Sequence, residues 1–170
     1  IPMVIARTGW SGELSYELYL QNGKKGDELF EIVHEAAKEF NGAVIAPNTI
    51  RTIEGGLLSY QSDFGREHNP FTIGLDRLVD LNQDIDFIGK EALKKIKAEG
   101  ISEKLVGVEI DGDPIEKVPE NFWPVLDVNN EKVGRLSRCF FSPRLKKNIG
   151  LAIIDNKYTE PETAMIIESP

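Results

Sequence analysis

The hydrophobic pattern changes period part-way along the chain, and that change limits the fold more than any other feature. Before residue 100 apolar residues recur at helical spacing in several segments; after Lys104 they fall in short runs divided by turn residues. The later runs are Leu105 to Ile110, Pro124 to Val128, Lys132 to Phe140, Asn148 to Ile154 and Ala164 to Ile167. Short strands without intervening helices predict a small antiparallel barrel or sandwich. Asp111-Gly112-Asp113 and Asn129-Asn130 read as hairpin turns between them. We expect a boundary near Glu99 to Glu103, dividing an α+β chain into residues 1–100 and 101–170.

The first region alternates strand and helix signals. Pro2 to Arg7 reads as a buried strand and Tyr16 to Leu20 as a second, closed by the turn signal Gln21-Asn22-Gly23. Lys25 to Phe40 has Leu29, Val33, Ala36 and Phe40 at helical spacing and should pack on a sheet. Asp27 and Glu28 at its start and Lys38 at its end suit the helix dipole. Asn41-Gly42 stops it, and Ala43 to Ala46 is expected to be a third strand before Pro47. A helix capped by Asn48 or Thr49 should run to Ser59 with Ile50, Ile53, Leu57 and Leu58 inward. Ser62 to Thr72 reads as a loop, Ile73 to Leu81 as extended chain, and Gly89 to Glu99 as a helix stopped by Gly100.

The stretch Arg7-Thr8-Gly9-Trp10-Ser11-Gly12-Glu13-Leu14-Ser15-Tyr16-Glu17 carries the chemical signal. Two glycines bracketing a tryptophan suit a tight turn that presents the indole instead of burying it. Period-2 alternation then puts Tyr16, Leu18 and Leu20 on a core face, with Glu17 and Tyr19 on the other. A carboxylate amid apolar residues is favoured when donors meet it, and a planar ligand with paired N–H groups, such as a pterin or guanine edge, supplies them. The alternatives are a solvated strand for Glu17 and simple half-buried packing for Tyr19. Arg51 and Glu54 stand at i, i+3 spacing and can pair with each other.

Charge and composition exclude other classes. A net charge of −8 repels phosphate backbones, which argues against nucleic acid as a partner. Arg135, Arg138, Arg144, Lys146 and Lys147 crowd one segment; a solvated strand face explains them better than a small-anion site. No apolar run approaches the ~18 residues of a membrane span. Cys139 is the single cysteine, so no disulfide framework exists, which fits a reducing, cytoplasmic setting. His34 and His68 lack partners at ligand spacing, and no metal is expected. The chain opens on Ile1 and runs straight into a strand-like segment, as a piece of something longer would.

Five motifs follow one another along the chain: Arg7 to Glu13 with Glu17; Ile53-Glu54-Gly55-Gly56-Leu57; Asn69-Pro70-Phe71 with Gly74-Leu75; Phe87 to Leu93; and Ser142-Pro143-Arg144-Leu145 with Lys147-Asn148-Ile149. In this order they resemble the folate-dependent T-protein family, which includes glycine-cleavage aminomethyltransferases and dimethylsulfoniopropionate demethylases. The resemblance implies a folate-binding region followed by a barrel, with tetrahydrofolate as cofactor. It implies that the residues at the Trp10 and Glu17 positions contact the pterin. The family arginine matches Thr52, one place after Arg51, and the family tryptophan matches Arg77; both departures point away from glycine cleavage itself. A one-residue step on a helix turns a side chain by about 100°, so Arg51 reaches a folate only if the helix is reshaped.

Trp10, the Glu13-Leu14-Ser15-Tyr16 run and the segment Asn48 to Asp63 most resemble the demethylases. That likeness implies methyl transfer from a small-molecule sulfonium, dimethylsulfoniopropionate, to tetrahydrofolate, leaving methylmercaptopropionate and 5-methyltetrahydrofolate. The expected cofactor-binding residues are Trp10, Glu17 and Arg51, with Tyr19 against the sulfonium by cation–π attraction. The catalytic acid is expected outside residues 1–170, leaving this stretch alone inactive, and a second copy of the chain is a candidate partner. The alternatives are a glycine-cleavage aminomethyltransferase and a non-enzymatic folate-binding assembly or repair factor. The latter's Lys-Gly-Cys-Tyr-x-Gly-Gln-Glu signature is absent.

Overall fold

A computed structural model describes residues 1–169. The chain forms two compact units, residues 1–57 and 58–170. The first contains an antiparallel ribbon of β1 (Met3–Ala6) and β2 (Glu17–Leu20), with Val4 opposite Tyr19 and Ala6 opposite Glu17. Side-chain alternation therefore puts Val4, Ala6, Glu17 and Tyr19 on one face and Met3, Ile5, Leu18 and Leu20 on the other. The second face is not the core expected of it: Ile5 is 62% exposed and Leu18 39%, and Tyr16, just before β2, is also exposed. A two-stranded ribbon buries a face only beneath another layer, and none of the residues of this one is fully buried.

Helix α1 (Gly26–Lys38) begins with Asp27 and Glu28 in its first turn. It ends where Asn41 adopts φ 54° and the Gly42 N–H returns to the Ala37 carbonyl at 2.8 Å. Its apolar stripe has the expected spacing, yet no residue of the helix is buried, so the expected packing on a sheet does not occur. Ala43 to Ala46 forms no strand, and Val44 and Ile45 are exposed. Apolar sequence makes a strand only where a neighbouring edge completes the ladder. Helix α2 (Thr49–Glu54) is capped by Asn48, whose Oδ1 accepts from the Arg51 N–H at 3.2 Å. It stops at Gly55 and Gly56, short of Ser59, because Gly56 turns to φ +61°. Thr52 and Ile53 are its buried residues.

The second unit holds α3 (Lys90–Glu99), set between Gly89 and Gly100, both at positive φ. Ile73 to Leu81 is turn and a short 3₁₀ segment at Asp76–Leu78, not extended chain. An antiparallel five-stranded sheet follows: β3 (Glu103–Ile110), β4 (Trp123–Leu126), β5 (Lys132–Ser142), β6 (Lys147–Asp155) and β7 (Ile166–Ile167), ordered β3-β6-β5-β4-β7. Asp111-Gly112-Asp113 is therefore not a hairpin turn, because β3 pairs with β6 and a long connection leads on to β4. The β4–β5 turn is where Asn129-Asn130 predicts it, with Asp127 Oδ1 accepting from the N–H groups of Asn129 (2.8 Å) and Glu131 (3.0 Å). Val125, Val133, Leu136, Cys139, Ala152 and Ile154 of this sheet form the buried core. Gly134 lets β5 lie close on β6, since a Cβ there would collide with the Ile153 carbonyl.

Candidate functional site

The loop between β1 and β2 is shaped by its glycines and hydroxyls. A Cβ on Gly9 would overlap the Ser15 side chain, so the turn requires glycine there. Gly12 takes φ +74°, where a Cβ would stand 3.2 Å from the Arg51 carbonyl oxygen. That places the loop backbone directly on the last turn of α2, within the same unit. Trp10 is 47% exposed, presented as its flanking glycines imply. Glu17 opens β2 where the loop returns, and the Thr8 hydroxyl donates to its Oε2. Tyr19 lies two residues on, on the same face, 52% exposed.

Glu17 is itself exposed, so these residues alone build no closed pocket around it. The hollow beside the loop, about 310 Å³, is lined by Arg7, Thr8, Gly9, Glu13, Leu14 and Ser15. Arg51 pairs with Glu54 (Nη1 to Oε2, 2.8 Å), as the i, i+3 spacing implies, and its Nη2 also pairs with Glu13 of the loop. Thr52 faces the other way, buried, its hydroxyl donating to the Thr49 carbonyl at 2.8 Å. Sequence reasoning brought Trp10, Glu17, Tyr19 and Arg51 forward. It missed Thr8 and Glu13, whose partners lie nine and 38 positions away. Glu13 carried a faint signal, an acidic residue in a loop next to a helix that bears an arginine.

The second unit holds a polar cluster with no counterpart in the motif reading. Asp63 is fully buried and accepts from Arg138 Nε (2.8 Å) and Nη2 (2.6 Å), from Ser137 Oγ (2.7 Å) and from the Ser59 N–H (2.7 Å). A β-bulge between Leu136 and Arg138 turns both Ser137 and Arg138 toward it. Arg138 is therefore no part of a solvated basic face, and Lys147 pairs with Glu109 at 2.5 Å. The His68 side chain is buried with Nδ1 accepting from the Gly65 N–H, and His34 stacks on Phe30. Burial pushes the Cys139 thiol up to about 11. The Glu131 and Asn129 N–H groups and the Tyr158 hydroxyl hold Asp127 below the usual carboxylate range, while the same contact raises Tyr158.

The fold and the motifs converge on one family. Residues 1–83 match the GCVT N-terminal domain, and residues 103–170 match the glycine cleavage T-protein C-terminal barrel domain. The chain belongs to the glycine-cleavage T-protein family. An aminomethyltransferase of Caldanaerobacter subterraneus is 37% identical over 94% of the chain and 42% of its own length. The dimethylsulfoniopropionate demethylase of Ruegeria pomeroyi is 30% identical over 100% of the chain and 45% of its own length. The crystal structure of the glycine cleavage system aminomethyltransferase T from Bartonella henselae superposes with a TM-score of 0.82, at 18% identity, over 97% of this chain and 45% of that one. The chain thus spans less than half the length of these relatives. No described helix is long and apolar enough to cross a membrane.

Proposed function

We propose that this chain is part of a tetrahydrofolate-dependent one-carbon transferase that takes a methyl group from the sulfonium of dimethylsulfoniopropionate. The observation that carries the reading is the ribbon face on which Glu17 and Tyr19 stand side by side, below a loop that presents Trp10. The residues suit a reduced folate. A carboxylate has roughly four acceptor positions, and Thr8 occupies one, leaving capacity for an amino-pyrimidine edge. The Trp10 indole offers a flat apolar face beside it. Tetrahydrofolate, when bound, supplies the nitrogen nucleophile.

The chain's own residues hold and align. Glu17 fixes the amino-pyrimidine edge, Trp10 packs against the ring, and the Tyr19 ring attracts the cationic donor by ~0.5–2 kcal/mol. A sulfonium is already activated, so alignment of sulfur, methyl and nitrogen in line is the main requirement. A bound tetrahydrofolate would supply the accepting N5, which would give its proton to solvent, and the donor sulfur would keep the electron pair of the broken C–S bond and leave as a neutral thioether. The catalytic acid and the rest of the pocket lie outside residues 1–170, so this stretch alone turns over no substrate. The same proposal divides the chain into a folate-binding portion, residues 1–100, and a barrel, residues 101–170, and includes a cytoplasmic setting and a homodimer.

The higher identity to the Caldanaerobacter aminomethyltransferase favours a second reading, aminomethyl transfer from a lipoyl-bound donor in glycine cleavage. Incubation of the intact protein with tetrahydrofolate and each donor separates them. Methylmercaptopropionate with 5-methyltetrahydrofolate supports the demethylase; ammonia with methylene-tetrahydrofolate supports the aminomethyltransferase. Folate binding with neither product would leave the assembly-factor alternative.

A further inference from the structure

We propose that Arg51 is a positioning residue: through Glu13 and Glu54 it clamps the loop Arg7 to Ser15 onto the end of α2, and so sets where Trp10 and Glu17 stand. The inference rests on the folate reading above and deepens it, because it removes Arg51 from the ligand contacts and gives it a different task.

The guanidinium is engaged on both sides. One terminal nitrogen pairs with Glu54, whose side chain is 7% exposed, and the other with Glu13 in the loop. A planar fork holds two carboxylates in fixed directions, which a point charge does not. The backbone reinforces the same junction. Gly12 lies against the Arg51 carbonyl, and a Cβ on Gly55 would come within 3.3 Å of the Gly12 Cα, so loop and helix end touch main chain to main chain. The geometry within the loop is looser: the Ser11 and Ser15 hydroxyls bond at 3.3–3.4 Å, the weak end of the range, and the Thr8 hydroxyl ties the loop's start to Glu17. The cap of α2 steadies the turn that carries the guanidinium, since Asn48 Oδ1 accepts from the N–H of Arg51 itself. Thr52 is turned inward on its own hydrogen bond, so the arginine cannot exchange places with its neighbour without breaking the buried side of α2.

The clamp also sorts the charges. Glu13 and Glu54 share one guanidinium and are both turned toward it, which leaves Glu17 as the carboxylate offered to a ligand. A clamp that acts at a distance predicts that Glu13, which touches no ligand, matters as much as Arg51.

The test uses the intact protein with Glu13→Gln, Arg51→Met, the double variant and Arg51→Lys, read by amide hydrogen exchange and by tetrahydrofolate titration. Exchange at residues 8–15 is expected to accelerate about fivefold in each of the first two variants and no further in the double, as coupled partners require. Tetrahydrofolate affinity is expected to fall by a similar factor in Glu13→Gln and Arg51→Met, with partial retention in Arg51→Lys. Unchanged exchange at the β5–β6 amides shows that each variant is folded. Weaker folate binding in Arg51→Met with none lost in Glu13→Gln would overturn the proposal and make Arg51 a direct ligand; so would loop exchange indifferent to both. If the parent itself fails to bind tetrahydrofolate while the exchange effects remain coupled, the clamp stands and the folate reading falls.

Discussion

The ribbon β1–β2 and the ribbon β5–β6 are both antiparallel pairs of apolar strands, yet one is exposed and the other supplies the centre of a core. In β6 the residues from Asn148 to Ile154 are all buried, and Leu136 and Cys139 of β5 are inaccessible. On β1 and β2, Val4, Ile5 and Tyr19 are each more than half exposed. The difference is the packing around each: Val106, Val108, Ile115, Tyr158, Met165 and Ile167 lie against the buried cluster that the second ribbon helps to form within its own unit, while nothing in residues 1–57 covers the first in this way. The unit that carries the candidate site is thus poor in core, and the unit with the core carries no proposed ligand contact.

The largest expected effect is at Asp63, where removal of the carboxylate takes away the charged partner that a buried arginine meets at 2.6–2.8 Å. Asp63→Ala should cost about 3–5 kcal/mol in denaturant unfolding, whereas Glu54→Ala in the first unit should cost less, because its partner Arg51 keeps Glu13. Leu136→Ala, with no room for solvent around it, should cost about 2–5 kcal/mol. Leu18→Ala should change stability by no more than about 0.5 kcal/mol. Equal costs at the two leucines would erase the contrast between the ribbons.

Cys139 gives a smaller effect with a defined sign. Its thiol is raised by burial from 9.0 to about 11, so the folded state keeps a proton that the unfolded chain releases. The stability this contributes is full below pH 9 and is lost as pH rises toward 11. Urea midpoints measured across that window should fall less in Cys139→Ala than in the parent. The opposite ordering would mean the thiol is open to water.

Much of the second unit was legible because its strands are bounded by their own punctuation: Asn129-Asn130 makes the β4–β5 turn, and Gly89 and Gly100 bracket α3. Arg51 and Glu54 were legible by helical spacing alone. What local pattern could not show was pairing across distance. Asp63 and Arg138 are 75 positions apart, and a charge-count reading placed Arg138 on a solvated face. Ala43 to Ala46 and the Leu18 face failed for a related reason: apolar alternation states that a segment can be buried, and only a neighbouring layer decides whether it is.

The central claim is that the carboxylate at position 17 meets the pterin of a reduced folate. Tetrahydrofolate titration of the intact protein and of its Glu17→Gln variant, by calorimetry, tests it directly. The account predicts saturable binding by the parent and a loss of about 1.5–3 kcal/mol in the variant, as for removal of a charged acceptor. Equal affinity in the two proteins would contradict it.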